Sequence, residues 1–199
     1  MDRYRLKIIA LTALVCLTGS SCTDDENNGQ GNNIIYGENI IGNGEQTFEI
    51  KDHQYLKRGT YLMKGWCYVT YGSTLTIEAG TVIKGDKETR AALIVEPGGK
   101  LIARGTVDAP IVFTSEMPAG KRKPGDWGGL FLCGYARNNE DIMPIEGGPR
   151  TMHGGPNNAD NPGVLSYVRL VFAGYPFKKT LEINGIHFGP VGTGTKNIQ

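Results

Sequence analysis

The chain has 199 residues, a formal net charge of +1 and 29 glycines. Glycine at about 15%, roughly twice its usual share, with no Gly-X-Y period and no long charge block, excludes a collagen-like rod and a wholly disordered chain. Near-neutral charge removes the long-range attraction on which a dedicated nucleic-acid binder depends, so no nucleic-acid partner is expected.

In chain order, the first predicted element is a leader. Arg3, Arg5 and Lys7 precede an apolar run from Ile8 to Leu17, and Thr18-Gly-Ser-Ser21 supplies small residues. This is the order of a secretory signal peptide over residues 1–21, and the apolar run is far shorter than the roughly 20 residues that span a bilayer. The small residues end on Cys22, an arrangement that resembles a bacterial lipobox, with Gly19 where leucine is usual. Cys22 is thus the expected lipidation site and mature N-terminus. Residues 23–33 contain no apolar side chain, so residues 22–39 are expected to form a flexible tether. The acidic pair Asp24-Asp25 resembles the surface-export signal of Bacteroidota lipoproteins. The leader carries three positive charges against Asp2, so its removal takes the net charge from +1 to −1.

Cys67 and Cys133 lie 66 residues apart in apolar, strand-like runs. An exported compartment permits a disulfide between them, but buried free thiols fit the surroundings better. There is no CxxC and no Cys/His cluster of the kind that builds a zinc site.

From Lys57 to Glu116 the chain reads as short strands between glycine turns. Leu75-Thr-Ile-Glu-Ala-Gly80 recurs 18 residues later as Leu93-Ile-Val-Glu-Pro-Gly98, and each copy runs on into another apolar stretch, Thr81–Gly85 and Lys100–Gly105. Period-2 alternation separates Leu75 and Ile77 from Thr76 and Glu78. Such recurrence predicts an all-β solenoid over residues 40–199, in which stacked coils share one core and like residues lie in register; a β-sandwich is the alternative. On this register Glu78 and Glu96 can stack on one outer face as a pair for Ca²⁺ or acid–base work, although each stands one residue before a turn, where a solvated strand-end carboxylate is the better reading.

These stretches, together with Pro110–Ser115, Gly125-Asp-Trp-Gly-Gly-Leu-Phe-Leu-Cys-Gly-Tyr-Ala136, Gly154–Gly163 and Leu165–Gly174, resemble a family of Bacteroidota surface lipoproteins over roughly residues 40–196. The resemblance implies a right-handed parallel β-helix and no particular reaction. Pro162 stands where the family usually has serine. Relatives continue for further coils, so the β-helix is expected to be its N-terminal portion, incomplete at the C-terminus, from a truncated product or a fragment.

Candidate chemistry is sparse. The segment from Gly147 to Gly163 is long for a loop, and its Asn157, Asn158 and Asp160 can offer oxygen ligands to Ca²⁺, although turn formation suits them better and no EF-hand spacing is present. Trp66, Tyr68, Tyr71 and Trp127 are candidates for a sugar-stacking platform, against packing beneath loops. Lys121-Arg-Lys123 is a basic loop cluster. His53, His153 and His187 are far apart in sequence, and no nucleophile–histidine order stands out. The identity of any metal is open, no resident cofactor is expected and no catalytic residue is assigned.

The reading that follows is a lipid-anchored outer-membrane or cell-surface module without enzymatic activity. It would bind a glycan or an uptake-system protein as an accessory to nutrient uptake. The alternatives are a polysaccharide-active, lyase-like β-helix enzyme lacking its C-terminal part, and a truncated remnant without function. For the enzyme, Arg104 and Arg169 are candidate bases, with no acidic trio beside them in sequence.

Overall fold

A computed structural model describes residues 39–139, 142–145, 149–178, 181–182 and 185–195. The expected signal peptide, Cys22 and all but the last residue of the tether lie outside this set, as do residues 196–199. All described residues belong to one compact unit, and none of them is helical.

The chain winds as a right-handed parallel β-helix with three sheets, A, B and C, visited in that order on each coil. The first coil comprises β1 (Ile40–Ile41), β2 (Phe48–Ile50) and β3 (His53–Leu56). The second comprises β4 (Thr60–Met63), β5 (Trp66–Val69) and β6 (Thr74–Ile77), and the third β7 (Val82–Gly85), β8 (Ala92–Val95) and β9 (Lys100–Arg104). On the fourth coil β10 (Ile111–Ser115) and β11 (Gly129–Leu132) are followed by a short antiparallel hairpin, β12 (Met143–Pro144) and β13 (Met152–His153), before β14 (Gly163–Ser166). The fifth coil has β15 (Val168–Leu170), a second hairpin of β16 (Pro176–Lys178) and β17 (Leu181–Glu182), and β18 (Ile186–Phe188). Sheet A is ordered β1-β4-β7-β10-β15, sheet B β2-β5-β8-β11-β18 and sheet C β3-β6-β9-β14. Every pairing within these three sheets is parallel, which excludes the sandwich.

The strands form because period-2 alternation gives each sheet one apolar face, and stacking closes those faces around a shared interior. Ladders of like residues run up it: Phe48, Cys67, Leu93, Leu130 and Ile186 on sheet B, and Leu56, Ile77, Ala103 and Leu165 on sheet C. Burying one such Leu or Ile side chain is worth about 1.5–3 kcal/mol. One rung departs from the rule. Gly85 follows Met63 on sheet A, and the space its missing side chain leaves is filled by Trp127, which lies 2.7 Å from where a Cβ would stand. Trp127 is fully buried, its ring stacks on Phe113 at 6.3 Å, and its Nε1–H donates to the Val171 carbonyl at 3.0 Å.

The register corrects one expectation. Leu75 pairs with Leu101, 26 residues on, whereas Leu93 pairs with Cys67 and Leu130. The 18-residue recurrence therefore compares a strand of sheet C with a strand of sheet B, not two coils. Glu78 and Glu96 consequently end strands of different sheets and do not stack. Glu78 instead accepts the Arg58 backbone N–H at 2.7 Å.

Candidate functional site

The outer face of sheet B is where the molecule departs from a plain solenoid. Along β5, β8 and β11 the outward residues are Trp66 and Tyr68, Ala92 and Ile94, and Phe131 followed by Cys133. All are buried, and together with Ile145 they form a second apolar cluster outside the interior. The cover is the insertion between β11 and β14, of which residues 134–139, 142–145 and 149–162 are described; it leaves the coil after Cys133 and rejoins it at Gly163.

The two limbs of this insertion are stitched together by its polar side chains. Asp160 Oδ2 accepts the Tyr135 N–H at 2.9 Å and Asn158 Oδ1 accepts the Arg137 N–H at 3.0 Å, while Asn157 Oδ1 accepts the Ala159 N–H at 3.1 Å within the returning limb and shapes its turn. Asn157, Asn158 and Asp160, the residues that can offer oxygens to Ca²⁺, are thus spread along this seam, each with an oxygen receiving a backbone donor, as the turn-forming reading expects. Among the described residues no three His, Cys, Asp or Glu side chains converge as a metal-binding group.

Arg150 fastens the insertion to the sheet. Its guanidinium lies 4.5 Å over the Tyr68 ring, pairs with Glu49 and with Glu96 at 2.6 and 3.2 Å, and its backbone N–H points to the Tyr68 hydroxyl at 3.4 Å. The Thr151 hydroxyl adds a bond to Glu96 at 3.2 Å. The hydrogen bond from Arg150, joined by one from Lys51, holds the Glu49 carboxyl below the usual carboxylate range. Burial works against the Arg150 charge, but the bonds to Glu49 and Glu96 outweigh it and raise the guanidinium further.

Beside this clasp lies a groove of about 520 Å³, lined by Tyr71, Tyr135, Ile142 and Met152 with Arg150 and Glu96 at its polar side. Tyr71 is 76% exposed, Ile142 61% and Met152 48%, so an apolar surface faces solvent directly next to charged groups. The Tyr71 ring is seated on Gly98: a Cβ there would stand 2.4 Å from the ring, and the backbone φ of +82° is also one that glycine adopts without strain. Of the four aromatic residues proposed as a platform, Tyr71 alone is presented to solvent. Trp66, Tyr68 and Trp127 are packed away, Trp66 with its Nε1–H on the Arg90 carbonyl at 3.1 Å.

A second cavity, of about 340 Å³, adjoins the insertion and is lined in part by Arg137, Asn138, His153 and His187. The His153 and His187 rings are 5.7 Å apart. Sequence spacing did not bring them together; the fold does so because His187 stands one rung beyond Phe131 on the outer row of sheet B, beneath the hairpin that carries His153. Burial, and then the neighbouring His187, lowers the His153 pKa.

Cys67 and Cys133 are free and buried, one on the inner face of sheet B and the other under the insertion. Burial pushes both thiols up to about 12, so neither is a nucleophile at neutral pH. The Lys121–Lys123 loop folds back on itself, with Arg122 Nε donating to the Met117 carbonyl at 2.8 Å.

A solenoid of three parallel sheets with a loop built over one face defines the class of protein. The family model for the pectate-lyase-like β-helix domain matches residues 48–199, and the chain belongs to that family. No curated protein and no solved structure matches it.

Proposed function

We propose that this chain is a lipid-anchored cell-surface module that binds a glycan in the Tyr71–Arg150 groove without cleaving it, as an accessory to nutrient uptake. The observation that carries this reading is the exposed Tyr71 ring beside Tyr135, Met152 and the Arg150–Glu96 pair. A flat aromatic surface takes the C–H face of a sugar ring, and adjacent charged and hydroxyl groups take its hydroxyls. The carboxylates nearest the groove, Glu49 and Glu96, are occupied by Arg150, so they favour a clamp over a metal-binding or proton-transferring pair. Cys22, through its acyl chains, is the anchor to the outer membrane, and residues 22–39 are the tether.

The test is calorimetry of the purified protein against neutral and acidic oligosaccharides. Tyr71→Ala should weaken binding at least about tenfold, roughly 1.4 kcal/mol, with the melting temperature unchanged. Unaltered affinity in that variant removes the groove from consideration. The lyase-like alternative is supported by the family itself. Release of unsaturated or reducing ends from uronate-rich glycans, with or without Ca²⁺, would replace the binding reading. Cys22→Ala should move the protein from the membrane fraction to the soluble one.

A further inference from the structure

The cavity of about 340 Å³ at His153 is distinct from the sugar groove. Met152 and His153 are consecutive on β13 and so point to opposite sides of the hairpin, Met152 into the groove and His153 into this cavity. Met143, the cross-strand partner of His153, lines the cavity as well.

Its donor set is one-sided. Arg137 is exposed and makes no ion pair among the described residues; the bond it gives to Asn158 comes from its backbone N–H. Asn138 spends its carbonyl oxygen on the Asn139 N–H and one amide hydrogen on the Met143 sulfur at 3.0 Å, which leaves a second amide hydrogen to donate. His153 is only 7% exposed, and its Nδ1 has no hydrogen-bond partner among the described residues. Among the described residues lining the cavity there is no carboxylate side chain. An unpaired guanidinium, an amide donor and the buried His153 imidazole, with no counter-charge for them among the described residues, make a place for a negative group, and a buried imidazole nitrogen without a partner is costly unless something meets it.

We propose that this cavity is a binding site for the oxyanion of a small molecule, a carboxylate or a tetrahedral phosphate or sulfate group, held by Arg137, Asn138 and His153. Among the described residues, the charged or titratable groups facing His153 are His187 from β18 and Arg137 from the outgoing limb of the insertion, while β12 contributes the neutral Met143. Burial and the neighbouring His187 disfavour a proton on His153, and a bound anion reverses that balance. Binding therefore takes up a proton, and affinity rises as pH falls.

The experiment titrates the whole protein with sodium sulfate and, separately, sodium acetate at constant ionic strength, following the His153 ring resonances by NMR at pH 7.5 and 5.5. At least one probe should shift these resonances saturably, about tenfold more tightly at pH 5.5, the factor that one unit of pKa change provides. A response to sulfate alone assigns a tetrahedral group, and a response to acetate alone assigns a carboxylate. Arg137→Gln, a change at an exposed position, should weaken binding at least about tenfold, and Arg137→Lys should recover part of the loss. Tyr71→Ala should leave anion binding unchanged, so failure here is distinguishable from failure of the sugar groove. The proposal is overturned if neither probe moves the His153 resonances, if Arg137→Gln binds as the parent does, or if affinity is the same at both pH values.

Discussion

The outer faces of sheets B and C are built on the same stacked backbone, yet they meet opposite surroundings. On sheet B the outward row Tyr68, Ile94 and Phe131 is buried beneath the insertion; on sheet C the equivalent row starts at Tyr55, 57% exposed, and continues through the half-buried Thr76, Ile102 and Val164. The solenoid does not decide which face carries a site. One loop does, by covering sheet B, and the groove and the His153 cavity lie along that cover. The coil beneath keeps its register, because each rung is satisfied by the rungs on either side.

The interior sets the scale for this contrast. Trp127→Ala should remove about 3–5 kcal/mol, measured as a shift of the urea midpoint, because it empties the space beside Gly85 and loses the bond to Val171. Next is the direct comparison of the two outer faces. Ile94→Ala should cost about 2–4 kcal/mol, and Ile102→Ala under about 1 kcal/mol, since only the first opens a cavity. Equal losses would mean that the insertion is not packed on sheet B.

The thiols offer a smaller and more local measure. At pH 8 neither Cys67 nor Cys133 should react with a thiol reagent in the native state, given pKa values near 12. In urea below the global transition Cys133 should label at least about tenfold faster, equivalent to about 1.4 kcal/mol, because lifting the insertion exposes it and leaves Cys67 inside. Identical rates would show that the insertion and the interior open as one unit.

The smallest effect concerns the clasp. Arg150 and Glu49 are both partly exposed, so Arg150→Gln should cost about 1 kcal/mol or less, reduced further by salt. The Glu49 carboxyl is held below its ordinary value of 4.5 in the folded protein. Its contribution is therefore present in full above that pH and is lost as pH falls through the lowered folded value. The stability difference between the parent and Glu49→Gln should shrink along that course, and growth of the difference on acidification would contradict the pairing.

Much of this fold was legible in the residues, and the reasons for the gaps are physical. Alternation in Leu75–Ile77 and the glycine turns identified stacked short strands. The 18-residue match of Leu75–Gly80 with Leu93–Gly98 joins strands of two different sheets, because a three-sheet coil contains a strand and a turn several times over, so similar motifs recur within a coil as well as between coils. The strand sequences also carry a sign of the covered face. β5 and β8 read Trp-Cys-Tyr-Val and Ala-Leu-Ile-Val, apolar without a break, the pattern of strands buried on both sides, whereas β6 alternates. The segment Gly147–Gly163 was singled out for its length, and it does supply Arg150 and His153. No local signal marks their partners Glu49 and His187, which arrive through the winding of the chain, 101 residues before Arg150 in one case.

The placement of the two tryptophans has a practical consequence. Trp127 lies in the interior and Trp66 under the insertion, each with its indole N–H fixed on a backbone carbonyl. The protein thus carries two built-in fluorophores, one for each compartment. Trp66→Phe would leave an emission that reports the interior alone, and Trp127→Phe one that reports the cover. Motion of the loop could then be followed optically and without a dye, apart from unfolding of the coils beneath it.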